Sequence, residues 1–181
     1  MLPLPGNAGD QRKQYSADLI AERSLSFIHR NKNRPFFLYA TYTLPHGRYE
    51  PPSMDPYSDR SWPDVDKKYA AMVTRGDAMV GAILDTLKQL KLEKNTVLFF
   101  TSDNGGVGGQ GHTVDFFRST GPFRGRKGTL YEGGIRVPMI VRWPGHIKAK
   151  SVSYFPWAFC DVAPTLTEIA GAKPLFGDGV S

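Results

Sequence analysis

Cysteine is nearly absent: Cys160 stands alone among 181 residues. One thiol can close no internal disulfide and build no zinc cluster, so neither kind of staple operates here. Long apolar runs are missing too. No stretch approaches the ~20 residues that a membrane helix needs. The opening MLPLPGNAGDQRK lacks the apolar core of a signal peptide. Positive charge exceeds negative by six, yet no run of five basic residues and no RNA-binding signature occurs. That makes nucleic acid a weaker anionic partner than a small anion or an acidic polysaccharide. What remains is 40% hydrophobic and 22% charged, the balance of a globular protein long enough for one domain with a real core.

The chain is organised around residues 96–104, TVLFFTSDN, followed by Gly105 and Gly106. Its apolar run shows no alternation, the pattern of a strand buried on both faces in a parallel sheet covered by helices. Open α/β sheets bind ligands beyond the carboxyl ends of their strands. Asp103 and Asn104 therefore stand either as metal ligands, with hard oxygens suited to Ca²⁺ or Mg²⁺, or as ordinary turn residues.

Upstream, residues 1–14 read as a loose lead-in. A helix is predicted over 16–30, capped by Ser16, with Ala17, Ile20, Ala21, Ser24, Phe27 and Ile28 on one stripe. Residues 36–42 (FFLYATY) read as a strand. His46 follows in a proline-stiffened loop, where it is either exposed or functional. Residues 53–63 read as irregular loop with no core of their own. The clearest helix spans 66–90, with Tyr69, Val73, Gly76, Val80, Ile83, Leu87 and Leu90 on one face. Gly76 on that face suggests close approach to the sheet. Strand, helix, strand gives a crossover; parallel strands would bring His46 and Asp103–Asn104 to one sheet edge.

Downstream, residues 105–136 form a long glycine-rich loop carrying His112, Arg118, Arg124, Arg126 and Lys127. It can hold an anion near a metal, or simply be solvated. Strands are predicted over 137–143 and 151–159. A helix over 161–170 follows, with Asp161 as cap, Pro164 in the first turn and Gly171 closing it. Cys160 reads as a small buried filler.

Four blocks carry a resemblance: RPFFLYATYTLPHGRYEPP, TVLFFTSDNGG, GPFRGRKGTLYEGGIRVPMIVRWPGHI and FCDVAPTLTEIAGA. In this order and spacing they resemble the later part of a sulfatase catalytic domain, in the alkaline-phosphatase superfamily. The likeness covers nearly all of residues 15–181. It implies an α/β three-layer sandwich around a mostly parallel sheet, here incomplete. It implies that Asp103 and Asn104 bind Ca²⁺, or Mg²⁺ in its place. It assigns His46 and Lys127 to catalysis and sulfate binding, and makes His112 a substrate-pocket candidate. Glu132 and Arg136 would brace the loop. The metal and Lys127 would neutralise the sulfate oxygens, and His46 would give a proton to the leaving alcohol.

The family's nucleophile, a formylglycine made within a C/S-x-P-x-R motif, has no counterpart in the 181 residues. Neither do two metal-binding aspartates, a Lys and an Arg of the family site. Cys160 is followed by Asp-Val-Ala-Pro and does not substitute. The expectation is a partial chain whose formylglycine lies in an upstream segment. Alone it should turn over little or no sulfate ester, bind Ca²⁺ weakly and tend to associate through apolar strand edges. The implied ligand is a sulfated small molecule or sulfated glycan. A full-length member would be periplasmic or extracellular. Two alternatives are a phosphate or phosphonate ester hydrolase on the same fold, and a non-catalytic basic module that holds acidic glycans.

Overall fold

The computed structural model describes residues 6, 7, 9, 11–173 and 177–181. The lead-in expected over 1–14 lies partly outside them. Two compact units divide the chain, Met1–Ile147 and Lys148–Ser181.

In the first unit, helix α1 (Ser16–Asn31) buries Ala17, Ser24 and Ile28, three members of the expected stripe. Ser16 is not its cap: Tyr15 occupies that position and no side chain caps the helix. Instead, the N–H groups of Asp18 and Leu19 reach the Tyr15 carbonyl. Helix α2 (Asp64–Gln89) begins two residues earlier than expected. Its buried face carries Asp66, Ala70, Met79, Ile83 and Leu87, whereas Val73 points to solvent. Ala70, Ala71 and Met72 are buried instead, so the inner face lies to one side of Val73. Arg75 of α2 donates Nε and Nη2 to the Asp18 carboxylate of α1 at 2.6 and 2.5 Å. This fork-to-fork pair adds geometric specificity to the helix contact.

The apolar core lies between these helices. Ile28, Ile83 and Leu87 form its centre, and Leu25, Phe36, Leu38, Leu90, Leu92 and Leu98 pack on it. Residues 36–42 run through this layer with alternating burial, Phe36 and Leu38 inward and Phe37 and Tyr39 outward. That is the side-chain alternation of an extended strand. No ladder partner pairs with it among the described residues, so the predicted strand is extended chain without a sheet neighbour. Gly76 faces Leu44 at ordinary contact distance, rather than a sheet.

Strand β1 (Leu98–Thr101) pairs with β2 (Met139–Arg142) in antiparallel register, Leu98 opposite Arg142 and Thr101 opposite Met139. The parallel crossover expected between 36–42 and 96–104 is not formed, since 36–42 has no ladder partner among the described residues, and the described pairing is antiparallel. Its physical reason is topological: β2 returns from a long excursion beyond β1 and runs back along it. Nor is β1 buried on both faces, since Phe100 and Thr101 are exposed. The short helix α3 (Glu132–Ile135) closes the excursion. Residues 53–63 have no regular structure but are not loose: Trp62 stacks on Tyr57 and meets Phe116 and Phe117 edge-on.

In the second unit, α4 (Val162–Ile169) ends at Gly171, whose φ of +63° and N–H to Glu168 form the expected glycine stop. Asp161 stands at the N-cap position, but its carboxylate accepts the N–H groups of Ala158 and Val180 at 2.8 and 2.9 Å, rather than capping its own helix. Residues 151–159 carry no strand pairing over 151–158, and Val152, Tyr154 and Phe155 are exposed. Cys160 is likewise exposed and not a buried filler.

Candidate active site

β1 delivers the chain to Ser102, Asp103 and Asn104. Ser102 Oγ donates to the Asn104 carbonyl at 3.2 Å, which tightens the turn. Asn104 Nδ2 donates to the Gly105 carbonyl at 3.0 Å. An amide that commits its NH₂ group this way keeps Oδ1 as a free acceptor. The Asp103 carboxylate is exposed beside it. These two adjacent hard oxygens fit Ca²⁺ or Mg²⁺ by chemical type. They fill only part of a coordination sphere, and no group of three His, Cys, Asp or Glu side chains gathers as a metal site among the described residues.

The loop over 105–136 returns to this turn through its backbone. Gly105 N–H donates to Gly134 at 2.9 Å, Lys127 N–H to Gly106 at 2.9 Å, and Gly133 N–H to Arg124 at 2.8 Å. A Cβ on Gly105 would overlap the carbonyl of Gly133, and one on Gly134 would overlap that of Thr129. Close approach of two backbones is what glycine is needed for here. The result sets Lys127 beside the turn that holds Asp103 and Asn104. Lys127 is half-buried, with no carboxylate partner among the described residues. Its flanking arginines line a cavity of about 550 Å³ with Phe123 and Tyr131. Arg124 stacks 3.8 Å over the Tyr131 ring. Glu132 of α3 and Arg136 just after it form an exposed pair at 3.1 Å, worth well under ~1 kcal/mol.

His46 stands exposed in a turn closed by its own N–H to the Thr43 carbonyl at 2.8 Å. Its Nδ1 lies 3.1 Å from the Gly47 carbonyl. A carbonyl only accepts, so Nδ1 carries the proton and Nε2 is the open nitrogen. Gly47 faces the side-chain amide of Gln110. Thus the His46 loop meets the long loop at Gln110. Among the described residues no hydrogen bond or ion pair joins His46 to Asp103, Asn104 or Lys127.

His112 lies elsewhere than at a pocket surface. Its side chain is fully buried, and Nδ1 donates to Asp66 of α2 at 2.6 Å. The ring stacks on Tyr69 at 4.1 Å and 18°, and meets Tyr49 edge-on at 5.8 Å. Nε2 is buried without a hydrogen-bond partner among the described residues. The contact ties the long loop to the first turn of α2. Sequence reasoning missed Asp66, Tyr69 and Tyr49 as its partners. The available signal was Asp66 itself, a carboxylate four residues before Ala70 on an otherwise apolar helix face.

Next to this anchor, Gly109 and His112 exchange backbone hydrogen bonds at 2.8 and 3.0 Å. Gln110 and Gly111 between them have φ of +53° and +90°, a tight turn of type I′ sense. Gln110 is an unfavoured residue there, at a cost of roughly 1 kcal/mol. Arg48 also has positive φ, at +20°. Both line one cleft of about 290 Å³ with Tyr49, Glu50, Val65 and Lys68. Burial pushes the Tyr49 phenol up, with Tyr69 and then Asp66 adding to the shift, so it remains a neutral hydroxyl through neutral pH.

Comparison with known proteins places these features in a family. The Sulfatase family model matches residues 3–172. The chain is 36% identical over 166 residues to steryl-sulfatase of Mus musculus, covering 89% of this chain and 25% of that protein. It is 36% identical over 167 residues to N-acetylgalactosamine-6-sulfatase of Mus musculus, covering 86% and 29%. Among solved structures, that of Ps i-CgsB in complex with k-i-k-neocarrahexaose superposes with a TM-score of 0.79 at 32% identity, covering 96% of this chain and 39% of that one. The chain therefore spans between a quarter and a third of the length of the curated relatives it matches. With its SDNG turn, its glycine crossing and its P-H loop all inside the matched residues, the chain belongs to the sulfatase family.

Proposed function

We propose that this chain supplies the metal- and sulfate-binding part of a catalytic site that hydrolyses sulfuric esters. The observation that supports the reading is the backbone bond from Lys127 to Gly106, which ties the Lys127 backbone to the segment that follows Asp103 and Asn104. A sulfate ester presents anionic oxygens around a poorly electrophilic sulfur. Asp103 and Asn104 Oδ1 would hold a divalent cation, which supplies charge neutralisation when bound. Lys127 meets non-bridging oxygens as a compact point charge. His46, with Nδ1–H fixed on Gly47, would as the imidazolium give its Nε2 proton to the leaving oxygen. The similar proteins are named for steryl and N-acetylgalactosamine sulfates, and sulfated small molecules or sulfated glycans are the substrate class we assign.

The test is calorimetric binding of 4-methylumbelliferyl sulfate with and without Ca²⁺. Binding should strengthen with Ca²⁺, whose own affinity for two protein oxygens should be no better than ~10⁻⁴ M. Lys127→Ala should abolish ester binding, and Asp103→Ala with Asn104→Ala should abolish the Ca²⁺ effect. Ester affinity that ignores both changes refutes the reading.

A further inference from the structure

We propose that the cleft bounded by Arg48, Lys68 and Gln110 is a subsite for a second anionic group, so that the ligand is an oligosaccharide charged on two neighbouring rings. This inference rests on the proposed sulfate site and extends it. Four observations meet at the cleft.

The first is charge. Arg48 and Lys68 both line it, and no acidic side chain pairs with either among the described residues. The remaining charged wall, Glu50, is met by Arg12 at 2.5 Å. A net positive concavity is left over, with the Gln110 amide and the Tyr49 edge as further polar contacts. The second is rigidity. Tyr49 is 5% exposed and wedged edge-on against Tyr69 and His112. His112 is locked in turn to Asp66. The floor is therefore held before any ligand arrives, which lowers the ordering cost of binding.

Backbone conformation is the third. Two of the lining residues, Arg48 and Gln110, hold left-handed φ without being glycine. Such backbone is found where the surroundings over-determine it, often at ligand sites. Position is the fourth. Arg48 follows His46 by two residues, at most ~7 Å of chain, and Gln110 packs on the Gly47 between them. A group in the cleft thus sits next to one held by His46. Arg48 suits a planar two-oxygen anion, carboxylate or sulfate, through its fork of donors.

Two-group anchoring makes an affinity difference. The probes are N-acetylgalactosamine 6-sulfate, a chondroitin 6-sulfate disaccharide, and a neutral-backbone disaccharide with two sulfates. The full chain is titrated with each in Ca²⁺. At least one disaccharide should bind about tenfold or more tighter than the monosaccharide, the worth of one charge-assisted hydrogen bond. The two disaccharides separate carboxylate from sulfate as the second group. Arg48→Ala and Lys68→Ala should erase the difference and leave monosaccharide affinity unchanged. Gln110→Gly should raise thermal stability yet weaken disaccharide binding, which a purely structural role would not produce. Lys127→Ala should weaken all three probes alike. If Lys127→Ala acts this way but no disaccharide gains affinity, or the gain survives Arg48→Ala and Lys68→Ala, the subsite is refuted and the sulfate site stands. If Lys127→Ala changes nothing, the sulfate site falls and this inference with it.

Discussion

Removing the His112 imidazole should unfold a large part of what positions the long loop. Asp66 is 4% exposed at its side chain and His112 is 0% exposed, with 2.6 Å between them. His112→Ala deletes the carboxylate's partner without restoring water to it. Leaving a buried carboxylate without its hydrogen-bond donor typically costs ~1–3 kcal/mol or more. Loss of the stack on Tyr69, at 4.1 Å, adds about 0.5–1.5 kcal/mol. Against a total stability of roughly 5–15 kcal/mol for a domain, that is a substantial share. Asp66→Asn should be milder, because the amide oxygen still accepts from Nδ1. Urea unfolding of the wild type, Asp66→Ala, His112→Ala and the double variant gives the coupling directly. We expect the double variant to be less destabilised than the two single losses summed, by about 2 kcal/mol or more. Additive single costs below ~1 kcal/mol each would show that the contact does not anchor the loop.

Four further outcomes are expected. Gly81→Ala, whose Cβ meets open space, and Gly76→Ala, whose Cβ meets Leu44 at ordinary distance, should each stabilise α2 by about 1 kcal/mol in thermal melts. Ile28→Ala should cost ~2–5 kcal/mol in urea unfolding, since it is the largest fully buried side chain among the described residues. Gly134→Ala should free the loop, seen as faster amide exchange at Gly105 and Lys127 and as lost ester binding, because the added carbon overlaps the Thr129 carbonyl. The N–H groups of Ala158 and then Val180 hold the Asp161 carboxyl below its ordinary 3.8. A depressed folded value means its contribution is present above the ordinary range and lost as pH falls through the folded value. The Val180 amide should therefore stay protected from exchange through the ordinary carboxylate range and open only as pH falls below 3.8, and in Asp161→Ala it should exchange freely at every pH.

Helices were legible because their signal is local. The 3.6-residue stripe through Ala17, Ser24 and Ile28 needs no distant partner to be read, and α4 stops where Gly171 stands. Strand pairing was not, because apolar runs such as 97–100 fix neither direction nor partner. The same run would suit parallel neighbours or the antiparallel β2 it meets. Sidedness also escaped: Val73 obeys the spacing, yet Ala70 and Ala71 set the buried face elsewhere. At the site, the SDN turn and Lys127 stood out by motif. What joins them is a pair of glycine backbones distant in sequence. His112 was picked for its chemistry, whereas its burial depends on Asp66, 46 positions earlier.

Because Gly105 and Gly134 cross on backbone atoms alone, the loop between them behaves like a buckle with an interchangeable strap. Exposed side chains such as Thr113, Asp115 and Arg118 can be rewritten without touching the clasp, so long as Phe116 and Phe117 keep their places on Trp62. A library randomised there should retain the metal-end turn and the Lys127 placement while changing which molecules it welcomes. That separates the part of the chain that must be kept from the part in which new preferences can be sought.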